Sequence, residues 1–117
     1  MSEQTISLKI GNEEFSAEIG VIEQVLDGPE AHGIPAWSIA IKFGGGSSIQ
    51  STGTRRSGTA SGQREIVKVL DTLDASSLSH LIGTPVYALR RGTESRFGMI
   101  AGIANGYDIS RVTIFAS

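Results

Sequence analysis

Gln63-Arg64-Glu65-Ile66-Val67-Lys68-Val69-Leu70-Asp71-Thr72-Leu73-Asp74 is the stretch on which the fold turns. Ile66, Val67, Val69, Leu70 and Leu73 recur at helical spacing, and Arg64, Glu65, Lys68 and Asp71 take the opposite side. Gly62 is the expected backbone cap, with Glu65 facing the first-turn amides. A shorter helix is expected from Ser76 to Ile82, capped by Ser76 and stopped by Gly83 and Pro85.

Strand patterns lie on both sides of this helical block. Thr5 to Ile10 alternates polar and apolar, Gly11-Asn12 supplies a turn, and Phe15, Ala17 and Ile19 alternate again. Val21 to Leu26 reads as a third strand, either separate or continuous with the second through a bend at Gly20, and Asp27 to Glu30 reads as a turn. From Ala36 to Phe43, Trp37, Ile39, Ile41 and Phe43 share one face of a fourth strand. Three more are expected over Pro85–Arg91, Arg96–Ala104 and Arg111–Phe115, with Asn105-Gly106 as a turn. Four strands, two helices and three strands predict an α+β fold. In it, an antiparallel β-sheet of about six to seven strands carries both helices on one face, and residues 1–117 form a single domain.

Composition narrows the function. The chain lacks cysteine, which excludes disulfides and thiolate metal sites. Its first twenty residues hold four glutamates and no apolar signal core, and no apolar run approaches the ~20 residues of a membrane span, so a cytoplasmic protein is expected. The net charge of −2 divides into −6 over residues 1–30 and +4 over residues 31–117. A DNA-coating protein would be basic throughout, whereas this division suits either a local anion site or ordinary solvated strand faces.

Groups for catalysis are sparse. His32 stands in a turn and His80 in the short helix, without metal-ligand spacing, and Asp71 and Asp74 read as surface charge. Neither a Walker loop nor a dinucleotide glycine pattern occurs. A non-enzyme without cofactor or metal is expected.

The segment from Gly44 to Gly62 shows no periodicity. Gly44 and Gly45 free backbone amides for close approach, while Ser47, Ser48, Gln50 and Thr52 offer polar donors and Arg55 and Arg56 offer planar forks suited to phosphate. A helix start follows, itself an anion-favouring end. Such a segment is either a flexible loop or a ligand loop. Arg90, Arg91 and Arg96 flank a hairpin turn as further phosphate candidates, and Phe97 and Asn105 are candidates to hold a base.

Ala31-His32-Gly33-Ile34-Pro35-Ala36-Trp37, the alternating strand after it, and Phe43-Gly44-Gly45-Gly46-Ser47-Ser48-Ile49-Gln50 resemble a signature of the phage Thoeris anti-defence sponge proteins. The helix Ile66–Leu73, the segment Leu81-Ile82-Gly83-Thr84-Pro85-Val86 and the Arg-bearing strand after it are similar too, so the resemblance covers residues 19–115. It implies a protein of the host bacterial cytoplasm that sequesters cyclic ADP-ribose isomers, and in some members cyclic oligonucleotides, without cleaving them, and that assembles as dimers and hexamers. Ser51-Thr52-Gly53-Thr54-Arg55-Arg56 departs from the family's aromatic glycine loop, and Ser77-Leu78 stands where the family has Trp. The alternative reading is a structural or protein-interaction module of a phage that docks on a host or virion protein.

Overall fold

Thr5–Ile10 (β1) turns at Gly11, whose φ of 61° suits the missing Cβ, into Glu13–Pro29 (β2), a single 17-residue strand. In this computed structural model, residues 5–29, 33–44, 48–92 and 99–115 are described. β2 runs straight through Gly20 and kinks at a bulge around Glu23. Of the two readings of Val21–Leu26, the strand continuous with the second is the one found. Asp27, Gly28 and Pro29, read from composition as a turn, continue the strand because they pair with Trp37, Ala36 and Pro35. Glu30, Ala31 and His32 lie outside the described residues.

Pro35–Phe43 (β3) is followed by Ser48–Ser51 (β4) and Arg55–Arg56 (β5), both paired to β3. Part of the segment expected as an aperiodic loop, Ser48–Ser51 and Arg55–Arg56, is therefore fastened to the sheet. Its side chains are polar because these short strands form an edge, where main-chain pairing rather than apolar burial fixes the chain. Ala60–Leu73 (α1) comes next, then a 3₁₀ turn at Leu78–Leu81, Pro85–Arg91 (β6), Gly102–Asn105 (β7) and Val112–Ile114 (β8). The strands form one antiparallel sheet in the order β4-β3-β2-β6-β7-β8, with β1 also paired to β2 and β5 to β3. The α+β class stands. Among the described residues the sheet has eight strands, and one α-helix with a 3₁₀ turn replaces the two expected helices.

α1 begins earlier than expected. Thr59 is its cap: the Oγ1 accepts a hydrogen bond from the Gly62 amide at 3.0 Å, and Gly62 lies inside the first turn. Asp74 ends the helix in the left-handed region at φ 60°, unusual outside glycine. The inner side of α1, with Val69 and Leu73 buried and Ile66 and Leu70 half-buried, packs with Ile22, Trp37, Ile39, Ile41 and Phe43. Each fully buried Val, Leu or Ile there contributes roughly 1.5–3 kcal/mol. A second apolar cluster, Phe15, Ala17, Leu89 and Ala104 with Tyr87, Val112 and Ile114 at its margin, occupies the opposite face, and neither α1 nor the 3₁₀ turn contributes to it.

The β7–β8 connection holds itself by side-chain caps. Asn105 Oδ1 accepts from the Tyr107 amide at 2.7 Å, and Asp108 Oδ1 accepts from the Ser110 hydroxyl at 2.6 Å and its amide at 3.1 Å. The Ser110 hydroxyl first, then its amide, hold the Asp108 carboxyl below the ordinary carboxylate value, and Arg111 adds to them. A depressed folded-state value supports the turn at pH above the ordinary value and loses that support as pH falls through the folded one. Ser110→Ala is expected to return the Asp108 carboxyl titration, followed by carbon NMR, towards the ordinary value. An unmoved midpoint would show that other groups hold it.

Candidate functional site

Adjacent residues of a strand face opposite ways, and this separates Arg55 from Arg56. Arg55 pairs in register with Trp37 on the helix-covered face, and Arg56 pairs with Ala36 on the other. The Arg55 guanidinium donates to both Glu65 carboxylate oxygens, at 2.6 and 2.8 Å, and lies 4.6 Å from the Phe115 ring centroid. Phe115 meets Trp37 edge to face at 6.1 Å. Glu65, expected to face the first-turn amides, instead clamps β5 to α1. Arg55 is thus committed inside the fold and does not join Arg56 in one grip.

The other candidates divide similarly. Thr52 is buried; its Oγ1 accepts from the Ile39 amide at 3.1 Å and its own amide donates to Ile39 O at 2.8 Å, so it joins β4 to β3. Arg90 is buried, donates to Glu18 at 2.8 Å and to Gln50, and stands 5.3 Å from the Phe43 ring centroid. Arg91 pairs with Glu13 across the exposed end of β2 and covers Phe15. Asn105 is buried, and its Nδ2 donates to Thr72 O at 2.9 Å, which fixes α1 to β7 rather than a base. Ser48 and Gly44 are exposed at the start of β4 and the end of β3, while Gly45, Ser47, Arg96 and Phe97 lie outside the described residues. Arg90 and Gln50 are brought together; the full expected set is not.

Arg56 differs from the other described arginines of that set. It is exposed and forms no ion pair among the described residues. On the face of its pairing partner Ala36 lies a cavity of about 360 Å³. Asp27 is the one charged residue of its lining, which also holds Leu26, Gly28, Ala36, Ser38 and Thr54, and Arg56 stands outside that lining. Leu26 faces Ser38 and Gly28 faces Ala36 in the register of β2 and β3, so the floor is a patch of sheet with a single hydroxyl. Thr54 rises at the rim because residues 52–54 bridge the gap between β4 and β5. The Trp37 indole N–H, in a residue of the principal cluster, is buried without a hydrogen-bond partner among the described residues, a situation that costs about 1–3 kcal/mol when uncompensated.

Sequence reasoning missed Ser38 as a lining residue, although a serine within the run Trp37–Phe43 was the available signal. Nothing in the spacing marks Glu18 or Glu65 as arginine partners, since 72 and 10 residues separate the pairs. Among the described residues no group of three His, Cys, Asp or Glu side chains could hold a metal ion, and no helix is long and apolar enough to cross a membrane. No protein-family model matches this chain, and comparison with curated proteins and with solved structures likewise finds no match.

Proposed function

We propose that this protein is a non-catalytic phage sponge that binds and sequesters a cyclic nucleotide signal of bacterial defence in the host cytoplasm. One observation carries the reading: an exposed Arg56, with no ion pair among the described residues, stands on the same sheet face as a cavity lined in part by Ser38 and Thr54. A guanidinium answers a phosphate, hydroxyls answer ribose, and about 360 Å³ falls within the ~300–1,000 Å³ of small-molecule sites. The sequence resemblance to the Thoeris anti-defence sponge proteins supplies the ligand class: cyclic ADP-ribose isomers or cyclic oligonucleotides. A cyclic nucleotide fills such a cavity and overhangs it, which favours a homo-oligomer, dimer or hexamer, whose second copy completes the enclosure.

The protein, incubated with a panel of cyclic ADP-ribose isomers and cyclic di- and trinucleotides, is expected to deplete at least one and to release it intact on heating. Arg56→Ala is expected to weaken that binding about tenfold, one charge-assisted contact being worth ~1.5 kcal/mol or more. A panel left wholly undepleted would overturn the proposal, and a cleaved product would make the protein a hydrolase.

A second reading, docking on a protein partner, draws on the sheet face without helices, where Val21 and Ile49 are exposed beside the second apolar cluster. It requires that Arg56→Ala leave activity unchanged.

A further inference from the structure

β2 outruns the strand beside it. β6 pairs with Phe15 to Val21, and the ladder closes where the Ile22 amide donates to Thr84 O at 3.0 Å and Ile22 O accepts from the Gly83 amide at 2.8 Å. Past that point β2 is bulged around Glu23, and Gly83, at φ 91°, turns the other chain off towards the 3₁₀ turn. On that side no described strand pairs with residues 25–29.

The open side presents a defined set of main-chain groups. Each residue of an antiparallel strand sends its N–H and C=O to one side, and its neighbours send theirs to the other. Ile39 directs both towards Thr52: its O accepts from the Thr52 amide at 2.8 Å, and its amide donates to Thr52 Oγ1 at 3.1 Å. Trp37, two residues away, has the same parity and pairs with Arg55 on that side. Val25, opposite Ile39, and Asp27, opposite Trp37, therefore direct their N–H and C=O away from β3, along the open edge.

A groove of about 560 Å³ lies against this edge. Val25 and Asp27 line it, with Ile66 and Leu70 of α1 and, around the 3₁₀ turn, Leu78 and Ile82. Val25, Ile66 and Leu70 are half-buried, Leu78 is buried and Ile82 is 58% exposed, which gives an apolar floor and an apolar lip. Asp27 is the one charged residue of the lining, within the segment 1–30 whose net charge is −6.

We propose that this groove takes an extended peptide, which adds to the Val25–Asp27 edge as a short antiparallel strand in the line that β6 leaves. N–H and C=O groups at strand spacing recognise another extended main chain. Alternate side chains of the incoming peptide face α1. The one opposite Val25 is aliphatic and enters the apolar floor; the one opposite Asp27, two residues earlier in an antiparallel chain, is Lys or Arg. Two edge residues offer four backbone bonds, and Gly83 and Thr84 close the near end, so the notch suits a short flexible segment better than the border strand of a folded sheet. The site is independent of the one proposed for the nucleotide, although Asp27 borders both cavities.

Amide NMR of the full chain, titrated with acetyl-Thr-Lys-Thr-Leu-Thr-amide, tests it. Saturable shifts centred on Val25, Asp27 and Leu70 are expected. N-methylation of the peptide's Leu, whose N–H faces β2, is expected to weaken binding about tenfold, whereas N-methylation of its central Thr, whose N–H faces away, leaves the affinity unchanged. Asp27→Lys is expected to reverse the preference, so that the peptide with Glu in place of Lys becomes the better ligand. Ile82→Ser is expected to weaken the Lys peptide with the rest of the spectrum unchanged. The absence of saturable shifts, shifts centred instead on Val21 and Ile49, or equal losses from the two N-methyl groups overturns the proposal. Arg56→Ala is expected to leave the peptide titration unaltered, so failure of the nucleotide site and failure of this one read separately.

Discussion

Replacing Glu18 with alanine is expected to lower the unfolding free energy by about 3–5 kcal/mol, the usual cost of stranding a buried charge. Arg90 is 3% exposed, and Glu18, 2.8 Å from it, supplies the carboxylate. Gln50 and the Phe43 ring also face the guanidinium, one a neutral amide and the other a quadrupole. Neither replaces the carboxylate. The cluster joins β2, β4 and β6 on the helix-covered face, so its loss loosens the attachment of the 48–51 edge as well. Urea unfolding gives the measurement. The double variant Glu18→Leu with Arg90→Met is expected to recover most of the loss, because an apolar pair of similar volume avoids the desolvation of two ions. A single-variant loss below about 1 kcal/mol, the range of exposed pairs, would mean that the guanidinium reaches water.

Gly62→Ala is expected to destabilise the protein by about 3 kcal/mol despite placing a better helix former in a helix. The intrinsic gain is about 1 kcal/mol. Against it, a Cβ at Gly62 would run into the carbonyl oxygen and carbon of Arg56 and crowd Thr59 Oγ1. Main chain cannot rotate away as a flexible side-chain tip does, so either the first turn of α1 or β5 must move. Movement of β5 opens the Arg55–Glu65 clamp and shifts Arg56 relative to its cavity. The variant is therefore expected to lose ligand affinity together with stability. Chemical denaturation of Gly62→Ala checks the first effect, and a Tm raised above that of the parent protein would refute the close approach.

The parts legible in the sequence are those with a strong apolar period. Trp37, Ile39, Ile41 and Phe43 share one face by their alternation, and all are buried in the principal cluster. The amphipathic side of α1 was assigned equally well through Ile66, Val69, Leu70 and Leu73, whereas Val67 belongs to the exposed side. β4 and β5 left no such mark, since Ser48, Ile49, Gln50, Ser51, Arg55 and Arg56 owe their strand conformation to backbone pairing with β3. Gly62 draws the expected start of α1 too late, because Thr59 three residues earlier offers the better hydroxyl. Gly62 is there for close approach of two chain segments. The arginines were legible as a set, but their allotment was not: whether a guanidinium meets a ligand or a glutamate depends on strand parity and on partners far along the chain.

The margins of the sheet carry a consequence for how the molecule meets others of its kind. Along one side the boundary is pieced together from four residues of β4 and two of β5, and on the far side it is the three residues of β8. An incoming strand finds too few consecutive main-chain groups there to zip onto, and the longer border, β1, sets the exposed Lys9 in its path. Ribbon-like growth through backbone pairing is thereby discouraged, and a companion molecule gains more by lying flat against the apolar side than by extending the sheet.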